Sequence, residues 1–87
     1  MFEIDKKQFG LFVAELRKEK GFTQKELAAK LLISDKAVSK WETGQSCPDI
    51  SLLVPMAGVL DVTVTELLEC RRLQSTETMN TTQTEAL

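Results

Sequence analysis

Histidine is absent from this chain, and cysteine occurs only at positions 47 and 70. A zinc site normally takes four ligands at short spacings, which this composition does not supply, so no metal or cofactor is expected. With no histidine and no cysteine beside a base, the usual acid–base and nucleophilic sets are missing. No glycine-rich loop is present to cradle a phosphate, and 87 residues leave too little chain for a buried pocket. An enzyme is therefore the least favoured class. A disulfide between Cys47 and Cys70 is chemically open, but a reducing compartment disfavours it, and the plain account is two incidental thiols. There is no run of about 18 apolar residues, so no membrane span is expected. The amino-terminal residues lack an apolar run ending in small residues, so no signal peptide is read and the expected address is the cytoplasm.

What is present suits one small domain. Apolar residues make up 43% of the chain, an ordinary share for a soluble globule with its own core. The net charge of −2 conceals a split. Residues 1–40 hold nine Lys or Arg against six Asp or Glu, and residues 41–87 hold two against seven. The overall balance does not advertise a nucleic-acid binder, yet the amino-terminal half can present a basic face.

The chain is organised around residues 23–44. Leu27, Ala28 and Leu31 form one apolar stripe; Val38 and Trp41 form a second, offset by too few residues for one straight helix. Two short helices about a tight break are the pattern of a helix-turn-helix. Thr23 with Glu26 makes a capping box, stapled by Phe22 and Leu27. The helix ends near Leu31, Leu32 occupies the turn, and Ser34 caps the next helix with Ile33 and Val38 as its staple. That helix ends at Gly44.

The flanks read as support. Asp5 with Gln8 predicts a capping box for a first helix carrying Phe9, Phe12, Val13 and Leu16 on one face, stopped by Gly21. Gly10 within it marks a close helix–helix approach. Asp49 caps a fourth helix with Ile50, Leu53, Val54, Ala57 and Leu60 as its apolar positions. Pro55 inside it predicts either a kink or a later helix start. Thr63 with Glu66, stapled by Val62 and Leu67, opens a brief fifth helix to about Cys70. The expected architecture is all-α: five short helices around one core over residues 1–70. Residues 71–87, rich in Thr, Gln, Glu, Ser and Asn, are expected to be a flexible polar tail, the alternative being an extra helix formed only in a dimer.

From Phe9 to Leu68 the residues resemble the lambda-repressor-like, Cro/CI-type (XRE family) helix-turn-helix DNA-binding domains. The resemblance rests on Leu16-Arg17, Thr23-Gln24-Lys25-Glu26-Leu27-Ala28, Ile33-Ser34, Ala37-Val38-Ser39-Lys40-Trp41-Glu42-Thr43-Gly44, Pro48-Asp49-Ile50 and Leu60-Asp61-Val62-Thr63-Val64-Thr65-Glu66-Leu67-Leu68. Leu32 departs from the pattern, because many members have glycine there; a positive φ would strain a leucine. Asp61 also stands where glycine is usual, a milder change because Asp tolerates the left-handed region.

The resemblance implies a compact five-helix domain whose second helix braces across the DNA backbone and whose third lies in the major groove. The outward positions of helix 34–43 are Asp35, Lys36, Ser39, Lys40 and Thr43. Lys36 and Lys40 can donate to guanine O6 and N7, Ser39 discriminates weakly, and Asp35 either accepts from a cytosine amine or serves as a favourable first-turn charge. The phosphate set implied is Gln24, Lys25, Arg17, Lys18, Thr43 and Gln45, the last two through backbone amides at the end of the reading helix. Gln24 has a second reading as a solvated residue beside a cap. Arg17 has one as the partner of Glu42, joining Val38 and Trp41 in holding the reading helix in place. The expected function is a sequence-specific transcriptional regulator, a repressor, acting as a homodimer on a palindrome of double-stranded DNA. Val59, Val64 and Leu68 are candidates for the dimer contact, with core positions as the plainer account. The alternative is a protein-interaction module on the same fold, such as an antitoxin or adaptor, using the acidic carboxyl half.

Overall fold

The computed structural model describes residues 4–73, and the expected tail from Gln74 onward lies outside them. Five helices follow in order: α1 (Lys6–Glu19), α2 (Gln24–Leu31), α3 (Asp35–Glu42), α4 (Ile50–Leu60) and α5 (Val64–Glu69). α3 packs on both α1 and α2, α4 closes over α2, and α5 sits between α4 and α1. The described residues include no strand.

Each helix begins where the caps place it. Asp5, Thr23, Ser34, Asp49 and Thr63 all adopt extended backbone and accept a first-turn amide. Thr23 and Thr63 form complete capping boxes with Glu26 and Glu66. At Asp5 the box is only half formed. Its Oδ1 accepts from the amides of Lys7 and Gln8, but Gln8 does not reach back.

The helix ends share one device. Gly21, Leu32, Gly44, Asp61 and Cys70 all have φ between 60° and 79°. The next amide in each case closes back onto a carbonyl five residues earlier, as in Ile33 to Ala28 and Gln45 to Lys40. Leu32 therefore carries the strain its position implied, at φ 60° and ψ 42°.

Phe9, Val13, Leu27, Val38, Met56, Leu60 and Leu67 are fully buried, with Phe12, Leu16, Leu31, Trp41 and Leu53 completing the core. α4 departs from expectation in its register. Leu53, Met56, Ala57 and Leu60 face inward, whereas Ile50 and Val54 are 77% and 68% exposed. Every residue of α4 is uncharged, so two overlapping i, i+3, i+4, i+7 stripes fit the sequence equally well, and packing chose the one containing Met56. The helix begins at Ile50, not later, and continues through Pro55. Pro55 is exposed, so the carbonyl that loses its amide partner lies toward water.

Candidate nucleic-acid interface

α3 is fastened on one side and open on the other. Val38 is fully buried and Trp41 is 4% exposed, and both enter the core. α1 lies unusually close to the end of α3. A Cβ at position 10 would overlap the Trp41 carbonyl oxygen and lie 3.0 Å from that of Glu42. Only glycine permits that approach.

A polar clamp sits at the same end. Arg17 Nε donates to Glu42 Oε2 at 2.6 Å and Nη2 donates to Oε1 at 3.1 Å. Arg17 Nη1 donates to the Phe22 carbonyl at 2.7 Å. The two side chains are only 12% and 7% exposed, so this bidentate pair is largely shielded from solvent. Gln24 Nε2 donates to Glu42 Oε1 at 2.9 Å. One carboxylate thus ties α1, α2 and α3 together. The sequence suggested Arg17 with Glu42 by resemblance; it gave no signal for Gln24 as the third member, because residues 24 and 42 share no local pattern. Each nitrogen of the Arg17 guanidinium makes one hydrogen bond within the protein, so the side chain fastens α1 to α3 and to the Phe22 carbonyl.

The outward side of α3 is different. Asp35, Lys36 and Lys40 are exposed and Ser39 is half-buried. None of these four side chains makes a hydrogen bond or ion pair with another described residue. Lys18 and Lys25 are likewise exposed. At the start of α2, Thr23 Oγ1 takes the Glu26 amide and the Thr23 carbonyl takes that of Leu27. The amides of Gln24 and Lys25, ahead of them, have no acceptor among the described residues, leaving a helix N-terminus open to an anion.

The far end of α3 is closed by its own amides. The backbone amides of Thr43, Gly44 and Gln45 donate to the carbonyls of Ser39, Trp41 and Lys40. They cap α3 and are not free for phosphate. The Thr43 hydroxyl also turns back onto the Ser39 carbonyl at 2.9 Å, and Gln45 Nε2 donates to that hydroxyl at 2.8 Å. What Gln45 still offers is the rest of its side-chain amide. The candidate dimer residues Val59, Val64 and Leu68 are half-buried against the core.

Burial raises the thiol pKa of both cysteines; Lys6 opposes the shift at Cys47, and the nearby Asp5 carboxylate adds to it at Cys70. Both are free, and a raised pKa makes each a poorer nucleophile. No described helix is long and apolar enough to cross a membrane.

The chain belongs to the helix-turn-helix family, in its XRE, lambda-repressor-like branch: the family model matches residues 13–67. It is 36% identical over 66 residues to the HTH-type transcriptional activator BcrR of Enterococcus faecalis, covering 76% of this chain and 32% of BcrR. It is 32% identical over 81 residues to the HTH-type transcriptional regulator ImmR of Bacillus subtilis, covering 90% of this chain and 64% of ImmR. The chain therefore spans 32% of the length of one of these relatives and 64% of the other. Among solved structures it resembles SinR, a master regulator for biofilm formation, in complex with DNA, at 38% identity and a TM-score of 0.63 over 69% of this chain and 97% of that one. BcrR and ImmR are thus HTH-type transcriptional regulators by name, and SinR is a regulator seen in complex with DNA.

Proposed function

We propose that this protein regulates transcription by sequence-specific binding to double-stranded DNA, with α3 in the major groove and two copies on a palindromic operator. The observation that carries the reading is the asymmetry of α3. Its inner side is fixed by Val38, Trp41, Gly10 and the Arg17–Glu42–Gln24 clamp, and its outer side offers Lys36, Ser39, Lys40 and Asp35 with no side-chain partner among the described residues. A helix held rigidly by one side and bare on the other is what base readout needs.

Lys36 and Lys40 serve guanine O6 and N7 in this proposal, and Ser39 and Asp35 refine the choice at neighbouring pairs. The phosphate contacts come from Lys18, Lys25, the Gln45 side chain, and the α2 N-terminus at Gln24 and Lys25; Arg17 and Thr43 act through the fold. Phosphate contacts supply most of the affinity, base contacts the selectivity. A single domain covers one half-site, so useful selectivity comes from a two-fold pair with half-sites about 34 Å apart. Repression follows when such an operator overlaps a promoter and occupancy excludes the transcription machinery.

The test is selection of bound sites from random duplexes. The expected product is an inverted repeat, and Lys36→Ala and Lys40→Ala then relax preference at defined positions. Absence of any preferred sequence at every salt concentration would sink the proposal. A promoter carrying the selected site, fused to a reporter, decides the sign: repression is expected, and a rise in output would leave DNA reading intact but overturn the repressor assignment.

A further inference from the structure

α1 begins with charges of the wrong sign. The amino end of a helix is the positive pole of its dipole and is stabilised by carboxylates. The first turn of α1 has no acidic residue and opens on Lys6 and Lys7, with the Asp5 cap beside them. Both lysines are exposed, and neither side chain makes a hydrogen bond or ion pair with another described residue. Nothing within the described fold offsets that unfavourable placement. The same turn lies against the end of α3. A Cβ at position 44 would stand 3.4 Å from the Lys7 Cα, so the backbones of Lys7 and Gly44 are in contact, one residue before Gln45. Lys7 and Lys18 are about three helical turns apart, which returns them to one edge of α1 with a separation of about 16 Å. Leu11, which is 56% exposed, lies between them on that edge. Glu15 and Glu19 are further round the helix, and Glu19 is paired with Arg72. Beyond Lys18 the chain turns into the start of α2, where Gln24 and Lys25 stand. Lys6 points elsewhere, close enough to the Cys47 thiol to oppose the rise of its pKa.

We propose that the Lys7–Lys18 edge of α1 is a second backbone-binding strip of the DNA interface, with Lys7 taking a phosphate beside the one held by Gln45. The inference rests on the reading that α3 lies in the major groove, and it adds to that interface a residue outside the helix-turn-helix. A helix entering a groove about 12 Å wide has a row of phosphates on either side of it. Lys18, with Gln24 and Lys25, serves one row; Lys7, with Gln45 at the other end of α1, serves the other. The separation of about 16 Å, adjusted by two mobile lysine stems, suits the distance between those rows. Lysine fits the task, because its ammonium is a point charge on a flexible stem and needs no fixed geometry. Leu11 puts no negative charge between the two cations. A phosphate at Lys7 also supplies the anion that the first turn of α1 lacks. The backbone contacts at Gly10 and Gly44 tie this turn to the end of α3, so a phosphate held by Lys7 helps to set how α3 sits in the groove.

The experiment compares the full chain with Lys7→Ala, Lys7→Glu and Lys6→Glu, on a selected and on a random duplex. Lys7→Ala is expected to bind both about three- to tenfold more weakly at low salt and to reduce the slope of log K against log salt by about 1. Lys7→Glu should bind at least about tenfold more weakly. It should nevertheless melt about 2–5 °C higher, because a carboxylate suits the first turn of α1. Lys6→Glu makes the same change of charge on another face. It should gain similarly in melting temperature and lose no more than about threefold in binding. Ethylation of single phosphates in the selected duplex should interfere with the parent at a position to which Lys7→Ala is indifferent. Lys7 variants that bind as Lys6→Glu does would overturn the proposal. So would a Lys7→Glu that loses affinity and melting temperature together, because damage to the fold would then account for both. A parent with no preference for any sequence would count against the reading of α3, and the salt slope of Lys7→Ala on random DNA would still judge this contact separately.

Discussion

At the scale of single residues, Leu32 and Glu42 make opposite contributions. Leu32 is 91% exposed and sits in the left-handed region, so it gains little from burial while carrying backbone strain of about 1–2 kcal/mol. Leu32→Gly removes that strain but adds freedom to the unfolded chain. The net expectation is a gain of about 0.5–1 kcal/mol, visible as a melting temperature several degrees higher. Glu42 is the reverse case. Glu42→Ala leaves Arg17 without its counter-charge in a site that is 12% exposed, and releases Gln24. A loss of about 3–5 kcal/mol in urea denaturation is expected. The pair Arg17→Met with Glu42→Met should lose much less than the two single changes added together, because neither charge is then left alone. Leu32 was legible in the sequence as an oddity, since the turn demanded a positive φ. The Gln24 contact was not legible, because it depends on where two helices cross.

At the scale of elements, the caps and stops were the readable part. Thr23, Ser34, Asp49 and Thr63 each write a helix start in a few adjacent residues, and local hydrogen bonds obey local sequence. The register of α4 was hidden for the converse reason: an uncharged helix carries no mark of its outer side, so Met56 was missed and Ile50 and Val54 were assigned inward. Gly10 shows how tightly one element sets another. Gly10→Ala forces α1 and α3 apart against two backbone carbonyls that cannot rotate away. The expected net cost is about 1–3 kcal/mol despite alanine's better helix propensity. Gly58→Ala, made in open space on α4, should instead gain about 0.5–1 kcal/mol. Chemical denaturation of the two variants beside the parent checks both signs.

α5 adds a pH dependence. Glu66 accepts from the backbone amides of Thr63 and Leu73, and these bonds hold its carboxyl below the ordinary value of 4.5. A carboxyl lowered in the folded state is favourable at pH values above its unfolded pKa, and that contribution is lost as pH falls through the folded value. Stability should therefore decline on acidification below about pH 4.5. In Glu66→Gln, whose amide oxygen can still accept the Thr63 amide, thermal melts from pH 7 to 3 should show a shallower decline.

At the scale of the whole molecule, the charge split becomes a division of labour. The basic surplus lies in the segment holding α1 to α3, and the acidic surplus in the segment after it. DNA affinity should therefore fall steeply with salt, although the net charge is −2. Lys25→Ala is expected to weaken cognate and random duplexes alike and to reduce the slope of log K against log salt by about 1. Lys36→Ala should cost about 1–3 kcal/mol on the cognate duplex and much less on random DNA. Binding isotherms on both duplexes at several salt concentrations separate the two. The overall architecture was readable because motif, caps and apolar stripes agreed along most of the described chain. The interface was readable only as a set of residue types; which of them still had hydrogen bonds to give, as with Thr43 and Gln45, depended on how α3 ends.

The one-sided attachment of α3 has a consequence for how such a protein can change. Positions 35, 36, 39 and 40 make no side-chain bond to another described residue, while the groups that hold the helix lie elsewhere on it. On the proposed reading, new residues at those four positions would alter the DNA address without renegotiating the fold. The helix is in effect an interchangeable key blade on a fixed bow, open to retargeting by selection in nature or at the bench.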